Sequence, residues 1–570
     1  MKLLFLVILL IVSVLSAFAR RIEVSTASVI NTGSWLAGDT IVLKNGTWTN
    51  QAISLRAFGT ASQPIVLEAE TPGQVIFNGS SRVSISGQHV VVSGIYFKDG
   101  TLSGSPVVEF RTSSSNLAEN CRLTNCAIVN YNPALNTVDS KWVSLYGRNN
   151  RVDHCSFENK NNSGTLLVVW LTAGIIPAHI IENNYFGYRN PNLDSNGNEL
   201  NGQEIIRIGD SNTSMQYANC IVRNNFFEKC NGEIEIISNK SCGNLYSNNV
   251  FFECKGMLTL RHGNDCTVEG NYFFGNGVSN TGGVRIIGED HKVFNNYFQD
   301  LRGTNFRAAL CVVRGMLNSA LNDYFQVKNA QVMFNTFVNC TQSFCINYNS
   351  STSYTMPPIG TVVAHNHVFN TNANNTNVLL SQNHASIDVT WRNNLMNAGR
   401  FTGFTFNNTQ IVTGQNAQMV QIAVPFAMME PGATSALLNY KTTEFENVQN
   451  DIRGRQRTAE KMPGASEVNG TVSRFMPTST NTGATFLNNI TTVHTPAYKV
   501  FPLWLSVAHG NLSVRGGKSG LLQLIDCKGI IMKERQVGND EHFEKSLTSG
   551  AYILRFVADN GDVFTRKLLI

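Results

Sequence analysis

Ile181-Glu182-Asn183-Asn184-Tyr185-Phe186 is one copy of a short pattern that recurs along the chain. Each copy runs from an apolar residue through polar residues to Asn or a small substitute, and it ends on aromatic or apolar residues. The other clear copies are Val92–Phe97, Val222–Phe227, Tyr246–Phe251 and Val293–Phe298, and related copies lie at Asn125, Cys155, Asn271, Asn335, Asn366 and Asn394. The chain therefore contains an internal repeat, and this repeat decides the fold.

The repeat is short. From Asn225 to Asn249, Asn271 and Asn296 the steps are 24, 22 and 25 residues. Leucine-rich repeats share this period, but the Leu-x-x-Leu-x-Leu signature is absent. β-Branched and aromatic triplets separated by Gly and Asn are typical of a parallel β-helix, in which stacked Asn side chains can form amide ladders. We predict an all-β fold, a right-handed single-stranded parallel β-helix (solenoid).

Composition excludes other classes. Of the 570 residues only 15% are charged and 46 are Gly, which disfavours helical bundles and coiled coils. The net charge of +5 is too small and diffuse to indicate nucleic acid. The 12 Cys include no CxxC pair, which argues against a structural zinc site.

The N-terminus has the features of a secretory signal peptide. Lys2 precedes the apolar run Leu3–Leu15, and Ala17-Phe18-Ala19 is a small-x-small cleavage site. We predict a signal peptide over residues 1–19, no membrane span beyond it, and a protein that is secreted or held at the cell surface.

Two further regions follow the signal peptide. Residues 20–495 are predicted to form the β-helix with its caps, and 400–495 to form its end. Residues 500–570 carry short antiparallel-type strands such as Gly550–Phe556 and Val563–Ile570, which indicate a small β-sandwich. This region resembles the C-terminal sorting domain of type IX secretion cargo, which would make the type IX machinery a partner; an ordinary accessory β-domain is the alternative.

One coil carries paired carboxylates. In Gly232-Glu233-Ile234-Glu235-Ile236 we expect both Glu side chains on the outer face of one strand. Like charges repel unless a cation lies between them, and calcium takes six to eight oxygen ligands. A solvated strand face is the alternative.

The next two coils add cations. Aligning the glycines of Gly256–Gly263 and Gly282–Gly288 places Glu235, Thr259 and Arg285 in one column, with Arg261 on the same face. Lys240 follows a possible turn that can direct it there. β-Elimination from a uronic acid polymer needs these types together: a base for the C5 proton, an acid for the leaving oxygen, and positive charge for the carboxylate. Lys240 can be the base only when neutral, a form that neighbouring cations favour.

These motifs resemble polysaccharide lyase family 6, which contains calcium-dependent alginate lyases and chondroitinase B on parallel β-helices. The resemblance covers roughly 22–400. It implies Lys240 as general base and Arg261 as general acid. It implies Glu233 and Glu235 as Ca²⁺ ligands, joined by Asn201, with Gln203 or Glu204 as alternatives. The substrate-binding residues that it implies are Arg285 as a carboxylate clamp, His262 as a lining or orienting residue, and Arg307, for which a surface ion pair is the stronger interpretation.

The coil Gly282–Gly288 resembles the alginate-cleaving members more than the chondroitinase. The expected partner is therefore the anionic polysaccharide alginate, and a dermatan sulfate lyase is the alternative. A β-helical glycoside hydrolase would need carboxylates on both sides of the bond, which Glu233 and Glu235 are too close together to provide. A non-catalytic glycan-binding surface protein would have no reason to keep Lys240.

Overall fold

The computed structural model describes residues 19–488 except 103, 195, 350, 372–376, 384–386 and 423, and then 504–508, 511–515, 520–526, 531–537, 542–546, 551–558 and 563–569. The predicted signal peptide, 1–19, lies outside the described residues except for Ala19. The chain forms two compact units, 1–490 and 491–570.

The first unit is a solenoid of three parallel sheets, as predicted. In the described part of the chain each sheet has 14 strands, and successive coils add one strand to each sheet. Sheet 1 comprises Arg21–Val24, Thr40–Leu43, Ile65–Ala69, Val90–Ser93, Arg122–Thr124, Arg151–Asp153, Ile180–Glu182, Ile221–Arg223, Leu245–Ser247, Thr267–Glu269, Lys292–Phe294, Gln331–Met333, Thr361–Ala364 and Val389–Arg392. Sheet 2 comprises Gly46–Thr49, Val75–Gly79, Ile95–Gly100, Ala127–Val129, Ser156–Glu158, Tyr185–Arg189, Phe226–Cys230, Val250–Phe252, Tyr272–Phe274, Tyr297–Gln299, Thr336–Val338, His367–Phe369, Asn394–Asn397 and Ile411–Val412. Sheet 3 comprises Ala52–Phe58, Arg82–Gln88, Val108–Glu109, Ala118–Glu119, Val143–Leu145, Leu167–Val169, Ile206–Gly209, Glu235–Lys240, Met257–His262, Val284–Ile286, Leu310–Val313, Gln342–Tyr348, Val378–Gln382 and Arg400–Thr402.

Helical segments are short. The α-helices are Ala27–Thr32 and Thr485–Asn488, and the 3₁₀-helices are Ser211–Thr213, Asn305–Arg307 and Ala436–Tyr440. Within the described residues, no helix has the length and apolar character needed to cross a membrane.

The repeated Asn forms a ladder at the turn between sheets 1 and 2. The amide nitrogen of each member except the last donates to the side-chain oxygen of its copy in the next coil, at 2.9–3.0 Å. The ladder residues are Asn184, Asn225, Asn249, Asn271, Asn296, Asn335, Asn366 and Asn394. Because all eight are buried, the ladder pairs polar groups that would otherwise be costly inside the solenoid. The residue before each ladder Asn has a positive φ, as at Asn183 (φ 55°).

The repeated aromatic residue forms a second ladder inside the solenoid. The ring centroids of successive coils lie 4.6–5.1 Å apart. The rings belong to Phe157, Phe186, Phe227, Phe251, Phe273, Phe298 and Phe337. Their spacing matches the ~4.8 Å strand separation, so each coil positions the next in register.

The start of the segment predicted to form the end of the solenoid, 400–495, packs on the solenoid core through Phe401, Phe404 and Phe406, with Phe404 against Trp391. The strands Arg400–Thr402 and Ile411–Val412 still add to sheets 3 and 2, and Met419–Gln421 and Met429–Pro431 form a small antiparallel pair. Residues 464–486 then pass the coils in reverse order: Ala465 N donates to Thr336 Oγ1, and Ala484 N donates to Ser156 Oγ. We call 417–488 the return segment. It packs on the outside of sheet 2, where apolar side chains such as Phe426 contact the rings of Phe226 and Phe252.

The second unit is antiparallel. Trp504–Ala508, Asn511–Arg515 and His542–Ser546 form a three-stranded sheet. Gly520–Asp526, Ile531–Val537, Ala551–Ala558 and Val563–Leu569 form a four-stranded one. Its strands have the short antiparallel character that the sequence indicated.

Candidate active site

The motif residues lie on three consecutive strands of sheet 3: Glu235–Lys240, Met257–His262 and Val284–Ile286. Parallel strands of consecutive coils stack in register, so side chains on the outer face of these strands gather at one place. They line a pocket of about 510 Å³. Its lining residues are Asn201, Ser211, Ile234, Glu235, Lys240, Arg261, His262, Arg285, Phe306, Asn322 and Tyr324.

Six of the eight predicted site residues line this pocket: Asn201, Glu235, Lys240, Arg261, His262 and Arg285. Glu233 and Arg307 do not. Of the three candidates on the preceding coil only Asn201 lines it, because the amide of Gln203 is bonded to Asn192 and Glu204 accepts from Thr165.

The expected alternation of Glu233 and Glu235 on one strand face is wrong. The strand begins only at Glu235, and its pairing with the next strand is shifted between Glu235 and Ile237. Ile234 precedes the strand and lines the pocket. The predicted column is also displaced: Ser238, not Glu235, pairs with Thr259, which in turn pairs with Arg285.

Glu235 lies among positive groups. Its Oε1 is 2.5 Å from Arg285 Nη2 and 3.8 Å from Arg261 Nε. Its Oε2 accepts a hydrogen bond from Ser238 Oγ at 2.6 Å. The Arg285 side chain is only 3% exposed, so its charge depends on this carboxylate for compensation.

The Arg261 side chain is held by the loop that contains Asn322 and Asp323. Its Nη1 donates to the Asp323 carbonyl at 2.9 Å, and its Nη2 donates to the Asn322 carbonyl at 3.1 Å. The guanidinium lies 4.2 Å from the centroid of the Tyr324 ring, a cation–π distance. These contacts fix the orientation of a charged group that points into the pocket.

Lys240 and His262 also line the pocket. They pair across adjacent strands, and Lys240 makes no ion pair with any residue that the structure describes. Burial, helped by Arg261 and Lys240, lowers the pKa of His262 to about 3. His262 is therefore neutral at ordinary pH and can exchange hydrogen bonds without adding charge.

Glu233 lies beside the pocket in a setting that favours a cation. Gly202 N donates to both Asn201 Oδ1 and Glu233 Oε2, at 2.9 and 3.0 Å, while Glu233 Oε1 is buried without a hydrogen-bond partner. Burial, with the charges of Glu204 and Glu235, raises the pKa of Glu233 to about 9. Among the described residues no three His, Cys, Asp or Glu group as a metal cluster, so a site here would combine two carboxylates with an amide. These oxygen donors fit calcium in type.

Arg307 lies outside the pocket lining. It forms an ion pair with Glu199 at 2.9 Å, which agrees with the surface ion pair that the sequence favoured. The sequence did not indicate Ser211, Phe306, Asn322 or Tyr324. They come from segments between strands, where no repeat marks them.

A family model and several solved structures of polysaccharide lyases match this chain. The family model of chondroitinase B matches residues 27–445. The chain is similar to the PL6 family alginate lyase AlyGC in a mutant form (31% identity, 86% of this chain and 60% of that chain, TM-score 0.68). It is also similar to a mannuronic acid specific family 6 lyase from human gut microbiota (30% identity, 68% of this chain and 87% of that chain, TM-score 0.58). A third similar structure is that of the PL6 family polysaccharide lyase Pedsa3628 from Pseudopedobacter saltans (28% identity, 68% of this chain and 93% of that chain, TM-score 0.57).

The chain spans about 60% of the length of AlyGC. No curated protein matches it. The family model nevertheless covers most of the solenoid, including all three strands that carry the pocket residues. The chain therefore belongs to the chondroitinase B family, polysaccharide lyase family 6.

Proposed function

We propose that this protein is a calcium-assisted alginate lyase that cleaves its polymer by β-elimination, with Lys240 as base and Arg261 as acid. The observation that carries the proposal is the convergence of unpaired Lys240 with Arg261 and Arg285 on one pocket of a polysaccharide lyase. A pocket with this excess of positive groups suits a polyanion.

β-Elimination breaks the C5–H and C4–O bonds of a uronate and forms a C4–C5 double bond. Lys240 accepts the C5 proton, and Arg261 donates a proton to the departing glycosidic oxygen. Arg285, held by Glu235, stabilises the negative charge that develops on the substrate carboxylate. Calcium bound by Asn201, Glu233 and Glu235 would add positive charge for that carboxylate. Neutral His262 orients the sugar by hydrogen bonding.

Two relatives support alginate as substrate, since AlyGC is an alginate lyase and the gut lyase is mannuronic acid specific. The chondroitinase B model keeps dermatan sulfate as the second candidate. Parallel assays on both polymers, following the absorbance of the unsaturated uronate, distinguish them. New reducing ends without that absorbance would indicate a hydrolase, and binding with neither signal would indicate a glycan-binding protein.

The assignment of base and acid is tested by Lys240→Ala and Arg261→Ala. Each should lower turnover by roughly 10² or more, the usual contribution of positioned proton transfer, and should weaken binding less. Lys229→Ala and Arg223→Ala are matched controls, since these side chains belong to sheets 2 and 1. Turnover near the wild-type level in either test variant would rule out this mechanism.

We also propose that the protein is exported to the medium or the cell surface and that the C-terminal unit serves the type IX machinery. No described residue of that unit lines the pocket. A chain ending at Lys499 should keep its lyase activity but accumulate in the periplasm of a type IX-competent host. Normal arrival of the shortened chain at the surface would contradict the sorting role.

A further inference from the structure

Along the solenoid axis, the pocket is covered at one end and open at the other. In register with Arg285, the next two coils carry Cys311 and Cys345. These positions are 0% and 2% exposed, although they belong to the same outer face as the pocket residues. The face is therefore covered directly beyond Arg285.

The cover is made of aromatic side chains. Phe306, Tyr324, Phe325 and Tyr348 pack on the buried cluster that contains both cysteines. Phe306 meets Tyr348 edge to face at 4.7 Å between ring centroids. Phe306, Asn322 and Tyr324 also line the pocket, and we call these three residues the end wall.

The end wall is braced by a second loop. Gly315 and Met356 exchange backbone hydrogen bonds of 2.8 and 2.9 Å, which ties the two loops together. Tyr354 Oη donates to Asp323 Oδ1 at 2.9 Å, and the Tyr354 ring meets Tyr324 edge to face. Moving this wall aside to let a polysaccharide chain pass would break these contacts and cost free energy.

Toward the earlier coils the face stays open. Gly209 pairs with Lys240 and offers no side chain. Arg207 on the same strand is partly exposed, as are Trp170 and Tyr146, which directly follow the two preceding strands of sheet 3. At ~4.8 Å for each coil, the open face continues for more than 10 Å from Lys240.

We propose that the enzyme attacks its polymer from one chain end, with the terminus seated against the end wall and the remaining chain leaving over the earlier coils. This inference rests on the proposed lyase function. A polymer can be cut in its middle only if it can pass the catalytic residues on both sides. Here the sugars beyond the scissile bond must fit within the pocket, so short products should be released at each turnover.

The first experiment uses the wild-type protein with calcium and long-chain alginate, and it follows absorbance, viscosity and product size together. We expect absorbance to rise with short unsaturated products from the earliest times, while viscosity and the elution position of the polymer change little. An early collapse of viscosity with a broad range of oligomers would overturn end-directed cleavage. Absence of any absorbance on alginate and dermatan sulfate would instead refute the proposed function.

Oligomers labelled at the reducing end with a fluorescent amine give a second measurement that needs no variant. Attack from one end predicts a single labelled series that either shortens stepwise or releases one short labelled product. Labelled fragments of all lengths at low conversion would overturn the proposal.

The end wall is tested with Phe306→Ala, and its support with Tyr348→Ala, since Tyr348 packs against Phe306. Opening the wall should shift early products to longer oligomers and speed the fall in viscosity. Tyr188→Phe is the control, since this tyrosine lies on sheet 2. Unchanged short products from a variant that melts like the wild type would show that the wall does not set the product length.

Discussion

The ion pair between Glu235 and Arg285 leads to a quantitative prediction. In Glu235→Gln the Arg285 guanidinium keeps its charge, its 3% exposure and an Nε without a hydrogen-bond partner, but it loses its carboxylate. Removing one member of a buried pair typically costs about 3–5 kcal/mol. We expect the free energy of unfolding to fall by that amount, measured by urea denaturation in EGTA at neutral pH.

Glu182→Gln is the matched control. Glu182 is also buried, but its partners Arg151 and Arg223 are 38% and 44% exposed on the side chain. Because water can solvate these arginines, we expect a loss of about 1 kcal/mol or less.

Calcium supplies an independent readout. If Glu235 binds calcium, added calcium should stabilise the wild type by about 2.7 kcal/mol at a hundredfold excess over Kd, and should stabilise Glu235→Gln much less. A loss in EGTA no larger than that of Glu182→Gln would refute the buried-pair reasoning. Equal stabilisation of both proteins by calcium would refute Glu235 as a ligand.

Three further predictions concern the solenoid and its loops. Burial lowers the pKa of His291 to about 4 from ~6.5 in the unfolded chain, so the unfolded chain binds more protons between these values and stability falls as the pH is lowered through this window. His291→Asn, which copies the role of Asn244 in an equivalent turn, should flatten that part of the urea-derived stability profile. Asn271→Ala should cost about 2 kcal/mol or more in urea denaturation, because it breaks the amide ladder on both sides. Tyr354→Phe should lower kcat several-fold with a smaller change in KM, because it loosens the loop that orients Arg261.

Each of these has a contrary outcome. A pH profile of His291→Asn that is parallel to the wild type would contradict the histidine assignment. Asn276→Ala, at an exposed Asn, is the control for the ladder, and an equal effect in both variants would argue against it. Unchanged kcat in Tyr354→Phe would separate this tyrosine from the orientation of Arg261.

The repeat and most of the pocket could be predicted from the sequence because both follow from the stacking of consecutive coils. Asn184 and Phe186 recur at fixed places in each coil, and a local rule, that like residues stack in consecutive coils, is enough to place them. Once the coils stack, Lys240, Arg261 and Arg285 must meet on one face, since each lies in the strand of sheet 3 of its coil.

Only the tertiary structure decided what depends on contacts between distant segments. The strand begins only at Glu235, so Ile234 lies outside it and lines the pocket, although alternation along a longer ideal strand would turn Ile234 inward. Phe306 and Tyr324 reach the pocket from loops with no period, and the return segment packs along sheet 2. Their positions follow from the fit between surfaces formed by far-separated residues, and such a fit leaves no periodic signal in the sequence.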